Sequence, residues 1–272
     1  MHDGLRHFLL ICTHGTFTAA ARRAHLSQPA LTASIQRLEE ELGARLLDRG
    51  PRGARPTAAG AALVPFAQAA LGAVSAGRRA VAEVTGLVAG EVRIGAGATA
   101  CTYLLPPILT AFRAAHPGVH LYLRESTSAA ARRRLGAGDL DIAIVSDPDG
   151  AEPWRTEELV LVSHPDRDPT DAPHLTFPHG ANHRELLDRH FPGVIVAMEL
   201  NSLVAVKAHV AAGMGVALLS THAVARDLEA GRLVRVDDPR APVPRTLYLL
   251  HHGIERLTPA TRALRAALLA VQ

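Results

Sequence analysis

The stretch His14-Gly15-Thr16-Phe17-Thr18-Ala19-Ala20-Ala21-Arg22-Arg23-Ala24-His25-Leu26-Ser27-Gln28-Pro29-Ala30-Leu31-Thr32-Ala33-Ser34-Ile35-Gln36-Arg37-Leu38-Glu39-Glu40-Glu41-Leu42-Gly43 decides how the first quarter of this 272-residue chain folds. Two short helices joined by a tight turn account for it. The first runs from about Thr18 to His25, where Ala19, Ala20 and Ala21 supply helix propensity and leave room for a crossing helix. Ser27 is placed to cap the second, and Pro29 falls in its first turn, where a missing N–H costs least. Leu31, Ile35, Leu38 and Leu42 recur at spacings of four, three and four, which predicts a buried stripe. The other face carries Gln28, Thr32, Ser34, Gln36 and Arg37. These side chains have the length and hydrogen-bonding groups to reach base edges and phosphates in a major groove.

Upstream, Leu5, Phe8, Leu9 and Cys12 share one helical face and are expected to pack beneath the two helices, with Cys12 as a small core residue. Downstream, glycines and prolines punctuate Ala44 to Thr57, which predicts a small hairpin carrying Arg49, Arg52 and Arg55. Residues 1–90 hold ten arginines against six acidic residues, whereas the remainder is close to neutral and contains the single lysine, Lys207. The basic excess thus lies with the candidate DNA reader, although net charge alone, +3, decides nothing.

Thr57 is a predicted cap for a long helix from about Ala58 to Ala89. Gly60, Leu63, Ala67, Ala70, Val74, Gly77, Val81, Val84 and Val88 alternate spacings of three and four, a heptad seam with small residues suited to close helix pairing. Pro65 predicts a kink or a late start, and Gly90 a C-cap. From Glu91 the pattern becomes strand–helix alternation: Val92–Ile94, Tyr103–Ala115, Val119–Leu123, Ser128–Gly136 and Asp141–Val145. A second series then runs through Arg184–His190, Ile195–Met198, Leu203–Ala212, Gly215–Leu219 and Ala223–Glu229. Arg245–His251 and Pro259–Val271 close the chain as a strand and a helix. Such alternation predicts parallel α/β sheets covered by helices. Hydrophobic content of 48% supports sizeable cores. No apolar run reaches the roughly 18 residues a membrane span needs. The first residues lack a signal-peptide pattern, and Cys12 and Cys101 lie far apart, so a reducing cytoplasm is expected.

The helical stretch resembles the helix-turn-helix of LysR-type transcriptional regulators. The likeness rests on Phe8, Gly15–Phe17, Ala20, Ala21, Leu26–Thr32, Ile35, Leu38, Glu39, Leu42, Gly43, Leu46, Arg49, Thr57 and Gly60. The later region is similar to the effector-binding part of the same family at Glu91–Gly95, Leu104–Pro106, Phe112, His116-Pro117, Gly138–Ile144, Val210–Leu219 and Arg232–Val234. The segment Asp147–Asn182 is shorter than usual there. The resemblance implies an α-helical winged helix-turn-helix domain over 1–58, with its recognition motif at about 17–36. A linker and dimerisation helix would follow over 59–90. An α/β two-lobed, periplasmic-binding-protein-like effector domain would fill 91–272, with lobe I at about 91–160 and 243–272 and lobe II at about 161–242. Crossover strands are expected near Glu158–Ser163 and Pro244–Leu249. Partners implied are double-stranded operator DNA, RNA polymerase, and further copies of the chain through the linker helix and effector domains, as homodimer or homotetramer. No membrane partner is implied.

On this reading the DNA-facing residues are Ser27, Gln28, Pro29, Ala30, Thr32, Ala33, Ser34, Gln36, Arg37, Arg52 and Arg55. Gln28, Pro29, Thr32, Ser34 and Gln36 are assigned to bases. Ser27, Arg37, Arg52 and Arg55 are assigned to phosphates or groove edges. Ala33 stands where related recognition helices often carry a long polar side chain, which leaves van der Waals contact, for instance with a thymine methyl. Open α/β sheets bind ligands at strand C-terminal ends, which singles out Thr99, Ala100, Cys101, Thr102, Ser128, Ser146, Asn201 and Ser202 as effector contacts. Each is also readable as a helix cap, and Cys101 as a packing residue. His179 and His183 stand at i and i+4 without an H-E-x-x-H pattern, and no metal or cofactor is expected beyond an unidentified small-molecule effector. An enzyme lacks support, because nucleophile elbow, paired carboxylates and phosphate loop are all missing. A plain solute-binding module conflicts with the helix-turn-helix.

Overall fold

The computed structural model describes residues 1–50, 53–85 and 90–271. The chain divides into two compact units, Met1–Val81 with Gly136–Asp139, and Ala82–Leu135 with Leu140–Gln272.

The first unit opens with three helices, α1 (His2–His14), α2 (Phe17–Ala24) and α3 (Gln28–Leu42). Leu5, Phe8 and Ile11 of α1, Phe17, Ala20 and Ala21 of α2, and Leu31, Ile35 and Leu38 of α3 form one buried cluster. Leu9 and Cys12 pack half-buried at its edge. Leu42, the fourth position of the expected stripe, is 40% exposed. It is the last residue of α3, and the helix is stopped by Gly43 at φ 65° before that position passes under a neighbour. The hairpin is a two-stranded antiparallel ribbon, β1 (Leu47–Gly50) and β2 (Gly53–Pro56). Gly53 is required where the ribbon docks. Its φ is +112°, Ala54 N–H donates to Gly15 O at 2.7 Å, and a Cβ on Gly53 would lie 2.3 Å from that same oxygen.

Helix α4 (Ala58–Val84) begins where Thr57 caps it, with Gly60 N–H donating to Thr57 Oγ1 at 3.0 Å. Pro65 lies inside the continuous helix rather than delaying its start. The first turn is set by the cap and by Gly60, whose missing side chain lets the helix approach Leu46 O; a Cβ would sit 2.0 Å from that oxygen. Leu63, Val64, Ala67 and Leu71 then pack on the three-helix core. Beyond them Ala70, Val74, Gly77 and Val81 are exposed, as is Phe66 at 73%. Val84's side chain, and Val88 and Ala89 of the expected seam, lie outside what is described. By length and composition the Ala58–Ala82 stretch is apolar enough to cross a bilayer, at a mean hydropathy of 1.5. That corrects the reading that no stretch of the chain would be, because alanines, not an unbroken run of large residues, supply the hydropathy.

The second unit is a two-lobed α/β body. In lobe I, β3 (Glu91–Ala96) pairs in parallel with β4 (His120–Glu125). A π-helical turn, Ala100–Leu104, leads into α5 (Leu105–Ala115), which precedes β4; α6 (Ser128–Gly136) follows, and β5 (Ile142–Val145) is parallel to β3 on its other side. Alternation along β5 sends Ile142 and Ile144 to one core and Ala143 and Val145 to another, so the sheet is covered on both faces. The chain leaves through β6 (Glu152–Ser163), whose Leu159 and Leu161 face one lobe II core while Val160 and Val162 face the other. Lobe II contains β7 (His174–Thr176), α7 (Asn182–His190), β8 (Val196–Glu199), α8 (Leu203–Ala211), β9 (Ala217–Ser220), α9 (Thr221–Glu229) and β10 (Val234–Arg235). The return is β11 (Val243–Leu250), antiparallel to β6 and also paired with β5, and α10 (Pro259–Ala270) closes lobe I. β6 and β11 are the crossovers, and β6 starts at Glu152, six residues ahead of the expected Glu158.

Candidate DNA-reading helix and effector cleft

Helix α3 is held by its buried side and offers its other side. Leu31 and Ile35 are fully buried and Leu38 nearly so. Each such burial contributes about 1.5–3 kcal/mol before entropy is counted. Ser27 caps the helix by accepting from Ala30 N–H at 3.4 Å, and Thr16 caps α2 by accepting from Ala19 N–H at 3.1 Å. Ser27, Gln28, Pro29, Ala30, Ala33, Gln36 and Arg37 are exposed, and Thr32 is half-buried. Thr18 Oγ1 donates to Gln28 Oε1 at 3.3 Å, which orients the Gln28 amide from the neighbouring helix. Arg55 is exposed on β2, and Arg52 lies outside the described residues.

Ser34 departs from this face. It is 8% exposed, and its hydroxyl shares a 2.7 Å hydrogen bond with His7 Nδ1 of α1. It follows Ala33 and precedes Ile35, so its Cβ points into the α1–α3 contact; the sequence reading had grouped it by polarity alone. Burial, followed by the nearby Arg6 charge, holds the His7 pKa below the usual histidine value. Arg49, which the sequence reading grouped with Arg52 and Arg55 on the hairpin, stacks over the Phe17 ring at 4.2 Å.

In the second unit a cavity of about 240 Å³ opens at the strand ends of lobe I and is walled on its other side by lobe II. Five expected contacts line it: Thr99, Ala100, Ser128, Ser146 and Asn201. Ser128 Oγ and Ser146 Oγ lie 2.9 Å apart, and Ser146 N–H donates to Ser128 Oγ at 3.0 Å, which joins the α6 start to the end of β5. Cys101, Thr102 and Ser202 are not in the lining. Cys101 packs on the lobe I core with its Sγ 3.4 Å from Ala96 O, and burial, reinforced by Glu125, pushes its thiol up to about 11. Thr102 is exposed, and Ser202 is occupied as the α8 cap, accepting from Ala205 N–H at 3.4 Å.

Several lining residues were not anticipated: Glu125, Ser126, Thr127, Phe177, Asn182, His183, Arg245 and Leu247. Asp147–Asn182, short as it is, still delivers Phe177, Pro178, Ala181 and Asn182 to the lobe II wall. Arg245 and Glu157 are directly opposite across the two crossover strands. Both are buried, and Arg245 Nε donates to Glu157 Oε1 at 3.0 Å, with a second, shorter contact from Nη2. Ser220 donates to the other Glu157 oxygen. Burial, then the Arg245 charge, drives the His183 pKa well below its ordinary value, so the imidazole is neutral. His183 therefore serves the cleft from α7, whereas His179 lies outside that helix and is exposed. Among the described residues no group of three or more metal-ligating side chains is assembled. A larger hollow of about 450 Å³, lined by Ile108, Phe112, Ala267 and their neighbours, is mostly apolar. The smaller one gathers more polar side chains from both lobes, which makes it the better ligand site.

A capped recognition helix beside a β-ribbon, and a separate two-lobed α/β body with a polar cleft, define a DNA-binding regulator that carries its own sensor. Two family models cover nearly the whole chain. Residues 2–61 match the bacterial regulatory helix-turn-helix protein, lysR family, and residues 85–272 match the LysR substrate binding domain. The chain belongs to the LysR family and is a transcriptional regulator, not an enzyme. It is 33% identical over 288 aligned residues to the SDS degradation transcriptional activation protein of a Pseudomonas species, covering 97% of this chain and 94% of that one. It shares its fold with full-length LysG of Corynebacterium glutamicum, solved with bound effector Arg, at a TM-score of 0.70, 20% identity and coverage of 99% and 97%. Vibrio fischeri DarR in complex with DNA superposes at a TM-score of 0.61, with 21% identity and coverage of 100% and 99%.

Proposed function

We propose that this regulator reads its operator with the outer side of α3 and responds to a small molecule held in the 240 Å³ cleft. The observation that carries the DNA reading is the division of α3: Leu31, Ile35 and Leu38 are sealed in protein while Gln28, Pro29, Ala30, Ala33, Gln36 and Arg37 stand open. Gln28, Pro29, Thr32 and Gln36 are assigned in this reading to base edges, and Ser27, Arg37 and Arg55 to phosphates or the groove margin. Thr99, Ala100, Ser128, Ser146 and Asn201 are the proposed effector contacts. The three-part division at about residues 58 and 90 belongs to the same reading.

The exposed line Ala70, Val74, Gly77 and Val81 on α4 supports pairing with the same helix of a second copy. A dimer or a tetramer meets that requirement, acting in the cytoplasm on double-stranded DNA with RNA polymerase as the downstream partner. The effector acts by binding one quaternary arrangement more tightly than another. A gel-shift titration with the region upstream of the chain's own gene tests the DNA part. Gln28→Ala is expected to weaken binding to that duplex about tenfold while changing random-duplex binding less than twofold, the cost of one good base contact. Equal losses on both duplexes would rule out base readout by Gln28.

A further inference from the structure

Arg245 has a position in the cleft that its neighbours make specific. It lies on β11, a crossover strand, and its guanidinium touches both lobes. Nη2 donates to Thr99 Oγ1 of lobe I at 3.3 Å. Nη1 lies 3.4 Å from Asn182 Oδ1 and 3.3 Å from the His183 ring, both in lobe II. Nε and Nη2 are committed to Glu157, which is anchored in turn to Ser220 of lobe II. All three guanidinium nitrogens are engaged, with Nη1 nearly equidistant from the two His183 ring nitrogens at 3.3 and 3.4 Å. The contacts differ in strength. Those to Glu157 are short and charge-assisted, whereas those from Nη1 are long and go to neutral acceptors. Thr99, Asn182, His183 and Arg245 all line the cavity.

We propose that Arg245 is a latch between the lobes, and that the effector is a small monocarboxylate whose head group takes the Nη1 donors from Asn182 and His183. This rests on the effector reading above. Glu157 holds Arg245 in place and cancels its charge, so the cleft offers one pair of exchangeable donors, not a free cation. Glu125 stands in the same wall and opposes further negative charge. A dicarboxylate or a phosphate ester, with its added charge, is thereby disfavoured relative to a monocarboxylate. Phe177, Leu247 and Ile144 receive the apolar remainder. A cavity of this size lies below the roughly 300–1,000 Å³ typical of drug-sized ligands, so the molecule is small. When the head group replaces Asn182 and His183, the link from Arg245 to α7 is lost and the one to Thr99 is kept. The tie to lobe II through Glu157 and Ser220 remains, so the lobes pivot about it to a different angle.

Isothermal titration of the full chain with propanoate through octanoate, benzoate and phenylacetate, each against its amide, tests this. The wild-type chain is expected to bind at least one carboxylate ten times more tightly than the matching amide, and to bind succinate and glycerol phosphate more weakly than that carboxylate. Asn182→Ala removes one competitor for Nη1 and is expected to tighten the carboxylate three- to tenfold, an effect opposite to that of simple damage to the wall. Arg245→Gln is expected to erase the gap between carboxylate and amide. The proposal is overturned if no carboxylate binds the wild type, if a dianion binds best, if Asn182→Ala does not tighten binding, or if Arg245→Gln keeps the gap. Should Arg245→Gln fail to fold with Glu157 left unpaired, the Asn182→Ala result decides alone. Operator binding by the wild type, measured on the same preparation, tests the regulator reading independently.

Discussion

Ser34 tests whether polarity or packing defines the reading face of α3. Replacing it with alanine removes the only hydrogen-bonding partner of the His7 ring among the described residues. Nδ1 loses its 2.7 Å contact, and Nε2 is already buried without a partner. A buried polar group stranded in this way costs about 1–3 kcal/mol. The change leaves little void, because only one oxygen is removed. Read in urea by circular dichroism, about 2 kcal/mol with a slope of roughly 1–3 kcal/mol per molar lowers the midpoint of the unit's transition by about 1 M. Gel shifts on the same preparation are expected to keep the ratio of operator to random-duplex affinity within twofold. The reasoning is refuted if Ser34→Ala leaves the urea midpoint unchanged while that ratio collapses, since Ser34 would then be reading DNA.

The same pair sets an acid sensitivity. Because the folded His7 pKa lies below its unfolded value of about 6.5, the unfolded chain takes up the proton first. The contribution is complete above about pH 6.5 and declines as the pH falls from there through the folded pKa; His7→Gln is expected to flatten that part of the stability profile measured by urea titration between pH 7.5 and 5. Gly60→Ala forces a Cβ to 2.0 Å from Leu46 O and is expected to cost about 1–3 kcal/mol in thermal melts, whereas Gly136→Ala, on α6 with nothing within 4 Å, is expected to be neutral or stabilising. Both thiols are raised to about 11, so only about one in a thousand is ionised at pH 8. Cys12 and Cys101 in the native chain are expected to resist iodoacetamide by mass spectrometry and to label fully in urea.

What the sequence disclosed follows the range of the interactions involved. α2 and α3 were legible because their determinants are local. The alanines of α2, the Ser27 cap, the proline at 29 and the leucine spacing all act within four residues, whereas the Thr16 cap that starts α2 at Phe17 emerged only from the structure. The one misread residue on α3, Ser34, is decided by His7, 27 positions away. β5 announced itself as a short run of branched apolar residues, and the C-terminal half of β6 was expected at Glu158–Ser163 from the family resemblance. The N-terminal half of β6, Glu152–Glu157, was not, because charged residues there are paired with β11 about 90 positions later, and no local pattern records that. β7 is three residues long and holds its place through Val196 and Val216, so it too has no signature of its own.

The cleft divides along the same line. Thr99, Ser128 and Ser146, which line the cavity, could be singled out beforehand because they end strands or open helices, a property visible in the chain itself. Arg245 and Glu157 were missed because each, taken alone, looks like a surface charge on a strand. Their meaning exists only as a pair, and burying either without the other would cost several kcal/mol. Such a pair is a poor way to gain stability, since an apolar pair of equal volume would serve as well. A guanidinium that is charge-balanced from behind and only weakly held in front is nevertheless well suited to exchanging one neutral partner for another. That is why the two crossover strands, and not the hydroxyl-bearing helix starts, are the place where occupancy of the cleft can alter the relation between the lobes.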